Sequence, residues 1–271
     1  MNRRRYALLL AALIALALAG CKSGATASTT VTPRPTAILP PVSVPTASPP
    51  TVVAGQRAAN LPTPSLSIPG THTSVQGATV TADIGTLVVD GKIGDITVVG
   101  SDRSGIEVVD QAAYSSTPPV IARAVSGSTL TVSYTCAVQI ACGVAFVIAV
   151  PRSTAVQAAT DTGAIRLTGL AGAVTAKADA GFIDASGLTA QHASFTTDVG
   201  GIDVTFTSPP RNVTARTRVS AITIRVPATV AYHVIVHTIV GHVTISVPQG
   251  SGSARTITAS TDVGTVDVTP G

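Results

Sequence analysis

Two short apolar patterns recur together seven times along this chain, always at the same spacing. Each copy reads V-x-A-x6-I-x-V, where x is any residue and the apolar positions hold Val, Ile, Leu, Ala or Phe. The copies, numbered 1 to 7 in chain order, span residues 87–98, 156–167, 174–185, 193–204, 213–224, 234–245 and 257–268. Such regularity predicts a repeat protein in which neighbouring copies bury one another's apolar faces.

Apolar and polar residues alternate within each copy, which is the pattern of a strand with one buried face. Six copies carry a Gly two residues before the second apolar pair, which indicates a turn with positive φ or a close backbone approach. These are Gly94, Gly163, Gly181, Gly200, Gly241 and Gly264, and copy 5 has Ser220 instead. Four copies add an Asp two residues before the Gly: Asp161, Asp179, Asp198 and Asp262. We interpret these carboxylates as turn residues that accept local backbone N–H groups.

The repeat predicts an all-β fold. We favour a β-solenoid, or β-helix-like, domain of stacked coils, because one register persists while the connectors between copies lengthen. An antiparallel β-sandwich is the alternative, since short strands with regular turns also suit it. Composition agrees with strands, because Val, Thr and Ala are abundant and Glu107 is the single Glu. If the copies stack in chain order, the copy ending near Gly271 forms an open edge that could make a dimer contact.

The first residues read as a bacterial lipoprotein signal. Three arginines at 3–5 precede an apolar run at 7–19, which is too short to span a hydrocarbon core of about 30 Å. The sequence Leu-Ala-Gly-Cys that ends at Cys21 fits a lipobox. We predict a signal peptide at 1–20 and lipidation of Cys21, which would anchor the exported chain to the outer face of the cell membrane. An ordinary secretory signal is the alternative, and the paired arginines also permit twin-arginine export.

Residues 21–79 contain ten of the 18 prolines, many Thr and Ser, and no acidic residue. Such a segment cannot bury enough apolar surface to fold, so we predict a disordered stalk. The stalk would hold the β-repeat domain, at 80–271, away from the membrane.

Charge and aromatic content argue against several partners. Without Arg3, Arg4 and Arg5, the 17 basic residues fall to 14, against 13 acidic ones. The chain has no Trp and few Tyr and Phe, so it lacks the stacking platforms of nucleic-acid binding. We expect no nucleic acid, cofactor or small-molecule substrate.

Cys136 and Cys142 remain as a pair when Cys21 is lipidated. In an exported chain this favours a disulfide, and the apolar runs at 130–134 and 144–150 predict that it closes the loop of a hairpin. Two free thiols or half of a metal site are the alternatives, although C-x5-C is not a zinc spacing.

No metal site is expected. His233, His237 and His242 lie in a strand context, where four residues span about 13 Å, too far for two ligands of one ion. The stacked Asp161, Asp179 and Asp198 could attract Ca²⁺, but turn chemistry explains them better. Arg166 stacked beside Asp184 predicts a charge pair between neighbouring copies.

The run LVVDGKIGDITVVG at 87–100, the strand FVIAVP at 146–151 and the repeated T-D-x-G-x-I-x-V units resemble the putative-adhesin family of bacterial envelope proteins. The resemblance covers about residues 83–271 and implies a β-solenoid-like domain displayed at the cell surface. It brings no catalytic or binding residues. Ser220 in place of a turn Gly and the 136–142 loop depart from the family pattern.

Catalytic motifs such as G-x-S-x-G, the P-loop and the zincin pattern are absent from the sequence. We therefore expect a non-enzymatic, lipid-anchored surface protein whose β domain contacts an unknown protein or cell-wall partner. A structural or sensory envelope lipoprotein is the alternative, and a polysaccharide-processing β-helix enzyme is a weaker one.

Overall fold

The computed structural model describes residues 52–54, 61–138 and 140–271. The predicted signal peptide, Cys21 and most of the predicted stalk lie outside them. The described residues confirm the all-β prediction and form two mixed sheets.

The two sheets are named A and B, and their strands are numbered β1 to β20 in chain order. Sheet A runs, in spatial order, through β1 (Val52–Ala54), β2 (His72–Val80), β5 (Ile106–Tyr114), β8 (Cys142–Pro151), β4 (Ile96–Ser101), β10 (Ile165–Thr168), β12 (Ile183–Leu188), β14 (Ile202–Phe206), β16 (Ile222–Val226), β20 (Val266–Pro270) and β18 (Val243–Ile245). Sheet B runs through β17 (His233–Val240), β19 (Thr256–Val263), β15 (Asn212–Val219), β13 (His192–Val199), β11 (Val174–Ala180), β9 (Ala155–Thr162), β3 (Thr86–Asp90), β7 (Thr129–Thr135) and β6 (Val120–Ser126).

Every copy of the repeat places its first strand in sheet B and its second strand in sheet A. Strands of neighbouring copies pair in parallel and in register, so that Val156 lies beside Val174 in sheet B and Ile165 lies beside Ile183 in sheet A. Equivalent residues therefore form columns that run across the sheets. The apolar columns of both sheets point inward and form one core cluster. Each fully buried Val or Ile stabilises the fold by about 1.5–3 kcal/mol relative to an exposed one.

The copies do not stack in chain order. Strand β19 of copy 7 pairs with β15 on one side and β17 on the other, and β20 likewise lies between β16 and β18. Copy 7 is thus inserted between copies 5 and 6, and the expectation that the copy nearest Gly271 forms the open edge is wrong. Because all copies share one register, backbone pairing does not dictate their order, and the long connectors around copy 6 allow the exchange.

The folded domain begins earlier than the predicted boundary at residue 80. Strand β2 lies inside the predicted stalk and pairs antiparallel with β5. Leu61 packs on Val147 and Ala149 of β8, on the face of sheet A that points away from the core, and the Leu66 carbonyl accepts a hydrogen bond from Gln111. A Pro-rich segment was expected to remain unfolded, but β8 is buried on both faces and this segment covers its outer face.

The disulfide between Cys136 and Cys142 is confirmed. The predicted hairpin is wrong, because β7 belongs to sheet B and β8 to sheet A. The bond therefore closes a corner between the two sheets.

A buried ion pair also connects the sheets. Arg123 of β6 donates to the carboxylate of Asp110 of β5, whose side chain is fully buried. Burial raises the pKa of Asp110, and the nearby Arg123 guanidinium only partly opposes this effect. Desolvation thus opposes the ionised form of Asp110, whereas Arg123 favours it.

The glycines of the repeat form a column at the corner where the chain passes from sheet B to sheet A. All six have positive φ, for example 156° at Gly181 and 143° at Gly200. A Cβ at Gly181 would overlap the carbonyl oxygen of Gly163, and one at Gly200 would overlap that of Gly181. Glycine is therefore required both by φ and by the close approach of neighbouring copies. Ser220 occupies this column with a φ of 138°, which is strained for a residue with a Cβ.

We predict that Ser220→Gly stabilises the domain. Releasing the strained φ should raise the free energy of unfolding by about 1 kcal/mol, the lower end of the cost of such backbone strain. Denaturant unfolding measures the change. The matched control is Ser194→Gly in β13, where glycine should lower stability by about 0.5–1 kcal/mol. Equal effects of the two substitutions would contradict the strain at Ser220.

We predict that Asp110→Ala lowers the free energy of unfolding by about 3–5 kcal/mol, because it leaves the Arg123 charge buried without its partner. The double variant Asp110→Leu with Arg123→Met removes both charges. Its free energy of unfolding should fall much less than that of Asp110→Ala, or should rise. Thermal unfolding of the two variants tests this. A double variant as unstable as Asp110→Ala would show that the pair itself contributes net stability.

Candidate interaction surface

A threonine three residues before the corner Gly or Ser joins neighbouring copies in five of the seven repeats. Thr197 donates through its Oγ1 to the Gly181 carbonyl at 3.0 Å, and Thr217 donates to the Gly200 carbonyl at 2.9 Å. Equivalent bonds join Thr160 to Gly94, Thr261 to Ser220 and Thr238 to Gly264. The sequence analysis did not assign a role to this threonine, although its recurrence in the motif was a visible signal.

The aspartates of the motif lie on the surface beside this corner. Asp179 pairs with Lys177 at 3.1 Å, and Asp198 pairs with Arg218 at 2.6 Å. Asp179 raises the pKa of Lys177 by accepting its hydrogen bond. Within the described residues, neither of these two carboxylates accepts a backbone N–H, so the predicted turn bonds are replaced there by ion pairs. Positive φ at the glycine, rather than the carboxylate, forms these turns.

Arg166 makes a different contact from the one predicted. Its backbone pairs with Asp184, but its guanidinium lies 2.7 Å from the carboxylate of Asp95 in copy 1. The Arg166 guanidinium also lies 4.7 Å from the centre of the Phe182 ring. The long side chain reaches sideways to the previous copy, where Asp95 also accepts the Ala164 N–H. Prediction from register alone missed this diagonal pairing.

The position directly before the corner Gly or Ser carries an exposed apolar row, which we call the valine ridge: Val199, Val219, Val263 and Val240. Val199 pairs with Val219, Val219 with Val263, and Val263 with Val240, so the four lie side by side on consecutive copies. Their exposure ranges from 48% at Val263 to 60% at Val240. With strands about 4.8 Å apart, the ridge extends about 14 Å.

A column of mostly charged residues runs beside the valine ridge, and further exposed residues extend its row. The neighbouring column holds Asp161, Asp179, Asp198, Arg218 and Asp262, each one residue before a ridge-column residue. The row continues from Val199 through Ala180 and Thr162 to the exposed Ile93. An exposed apolar row with a charged rim has, on a small scale, the apolar centre and polar margin that protein interfaces show. The sequence showed Val at this position, but only the strand order brings the four valines together.

The histidines are placed on the outermost copy. His233 and His237 belong to β17, and His242 follows the Gly241 turn. Among the described residues, no three His, Cys, Asp or Glu side chains come close enough to hold a metal ion.

A small cavity of about 130 Å³ lies beside the disulfide and is lined by Lys92, Ile93, Tyr134 and Asp161. The Tyr134 hydroxyl donates to the Ile93 carbonyl at 3.0 Å and accepts the Ile93 N–H at 2.7 Å. Burial raises the pKa of Tyr134. The hydroxyl thus satisfies the backbone of the first turn, a structural role.

Within the described part of the chain, no helix has the length and apolarity needed to cross a membrane.

No family model matches the chain, and no curated protein matches it. Three solved structures are similar to it in part. A putative cell adhesion protein from Clostridium sporogenes is 11% identical, with 74% of this chain and 100% of that chain covered and a TM-score of 0.46. A putative adhesin from Bacteroides fragilis is 13% identical, with 73% and 97% covered and a TM-score of 0.45. A putative adhesin from Parabacteroides distasonis is 12% identical, with 72% and 97% covered and a TM-score of 0.33. Similarity at this level assigns neither a family nor a function to this chain.

We predict that Thr217→Val lowers the free energy of unfolding by about 1 kcal/mol, because the partly buried Gly200 carbonyl loses its hydroxyl donor while shape and strand propensity are kept. Denaturant unfolding measures the loss. Thr214→Val on the outer face of the same strand is the control and should change stability by less than about 0.5 kcal/mol. Similar losses for both would show that the hydroxyl bond contributes little.

Proposed function

We propose that this protein is a non-enzymatic, lipid-anchored surface protein whose β domain contacts a protein of the cell envelope or of another cell. The observation that carries the proposal is the valine ridge. Four exposed valines in one row, beside a column of charges, offer a partner an apolar strip with a polar rim. Solvation of such a row is unfavourable, so a partner that covers it gains binding free energy.

The order of the segments along the chain supports display at the surface. A lipobox ending at Cys21, a Pro/Thr-rich stalk and a β domain form, in that order, an anchor, a spacer and a presented module. In this proposal, acylation of Cys21 holds the chain on the outer face of the cell membrane.

We infer that the domain is a β-solenoid rather than an antiparallel sandwich. Support comes from the parallel, in-register pairing of all seven copies and from the alternation of each copy between the two sheets. Stacking of this kind repeats one corner on every copy and so produces a linear ridge. The ridge is then a product of the repeat itself.

A cross-linking pull-down from intact cells tests the proposed contact. The full chain should retain a partner. Val219→Lys should capture only a small fraction of that amount, because a charge in the middle of the ridge must be desolvated on binding. Thr175→Lys, on the exposed outer face of sheet B, is the matched control and should retain the partner. Equal capture by both variants, or no partner with the unaltered chain, would refute the ridge as the contact site.

The lipid anchor has a separate readout. Cys21→Ser should release the chain from the membrane fraction without changing the fold. A chain that stays membrane-bound after this substitution would refute lipidation at Cys21.

A further inference from the structure

Copy 6 lies at the open end of both sheets. Among the described strands, β17 is the last of sheet B and β18 is the last of sheet A. The inward residues Val234, Val236 and Ile245 pack against the core but are only half-buried. Val243 is 44% exposed, whereas its equivalent Val266 in the neighbouring copy is fully buried.

The outer face of copy 6 also differs from that of the other copies. Ile235 stands in a column that elsewhere in the neighbouring copies holds Thr258, Thr214, Ser194 and Thr175. Ile239 stands at the position two residues before the turn Gly, which in every other copy is Asp, Arg or Lys. Exposure is 47% for Ile235 and 68% for Ile239. The outermost copy has thus exchanged polar residues for apolar ones where solvent exposure would favour the reverse.

The exposed edge of copy 6 carries no charged side chain. The connector after it reaches this edge only just before β17, where Tyr232 donates its N–H to the Pro248 carbonyl and accepts the Gly250 N–H. Residues 226–254 contain no Asp, Glu, Lys or Arg. Natural edge strands commonly avoid pairing through charges, prolines or bulges. The N–H of His233 points to β19, where it donates to the Arg255 carbonyl. In a parallel pair the intervening residues point the other way, so Val234, Val236 and Thr238 direct their backbone groups outward.

We propose that β17 pairs antiparallel with β17 of a second copy of this chain, across a two-fold axis at His237. This register places Val236 opposite the partner subunit's Thr238 in a hydrogen-bonded pair, which satisfies outward backbone groups of both chains. It places Ile235 opposite the partner subunit's Ile239 in a non-hydrogen-bonded pair, where the Cα atoms are about 4.5 Å apart and side chains are closest. Two such Ile–Ile contacts arise, one on each side of the axis.

The identity of the occupant follows from this self-complementarity. A two-fold axis requires each surface feature to meet its own counterpart, and the spacing of Ile235 and Ile239 around His237 meets that condition. The absence of formal charge from residues 226–254 means that two copies approach without like-charge repulsion. The inference rests on the edge geometry and is independent of the proposed contact at the valine ridge.

Cysteine cross-linking of the full chain tests the register. His237→Cys should form an interchain disulfide on mild oxidation, because two-fold pairing brings its Cα atoms within the 4.4–6.8 Å range that a disulfide needs. The matched control is Thr175→Cys, which is equally a sheet B outer-face position but lies in the middle of the stack. We expect a reducible dimer band for His237→Cys that exceeds the background of Thr175→Cys and of the unaltered chain at least several-fold.

Light scattering of the full chain in detergent tests the interface itself. The unaltered protein should have twice the mass of one chain. Ile235→Lys should have the mass of a single chain, and at low protein concentration its thermal unfolding should match that of the unaltered protein. Val219→Lys is the matched control, since Val219 is exposed to a similar degree but lies on the valine ridge, and it should remain dimeric. If Val219→Lys loses partner capture but keeps the mass of a dimer, the ridge contact and the dimer interface are separate sites.

Two results would overturn the inference. One is a monomeric mass for the unaltered chain together with no excess cross-linking of His237→Cys. The other is a dimer that persists unchanged in Ile235→Lys, which would place the interface elsewhere.

Discussion

The close approach of neighbouring copies at the glycine column is the constraint on which the rest of the structure depends. Parallel strands lie about 4.8 Å apart, and at the corner each carbonyl fills the space that a Cβ of the next copy would need. The chain can therefore turn from sheet B into sheet A in one place only, at the same point of every copy. This fixes the register of both sheets at once, because the lengths before and after the turn are constant.

Two surfaces arise from that constraint. Threonines on the inner side of the corner donate hydrogen bonds to the carbonyl of the neighbouring copy, so these bonds connect each corner to the next. Residues directly before the corner Gly or Ser form a row in solvent. Valine at this row produces the ridge, whereas polar residues there would produce an inert edge. The valine ridge thus results from the turn geometry together with valine at one position of the repeat.

The open end is the second consequence of stacking. A repeat that pairs with both neighbours leaves the outermost copy with unpaired backbone groups on one side. At the opposite end, antiparallel strands continue both sheets beyond copy 1, and Leu61 packs on the outer face of β8. At copy 6, Ile235 takes the place of a Thr or Ser, and Ile239 takes the place of a charged residue that would discourage pairing. One end of the repeat is therefore extended by antiparallel strands, whereas the other presents an apolar edge.

The sequence by itself determined the strands of the seven copies, their pairing register, the corner glycines, the disulfide and the domain's all-β class. These follow from local chemistry: side-chain alternation, positive φ and cysteine parity act over a few residues. It could not determine the spatial order of copies 5, 7 and 6, because identical registers make every copy an equally good neighbour for any other. Nor could it pair the Arg166 side chain with Asp95, place the two cysteines at a corner between the sheets, or fold residues 61–79 onto sheet A. Those outcomes depend on which distant surfaces remain uncovered after the strands pair, and only the tertiary structure decides that.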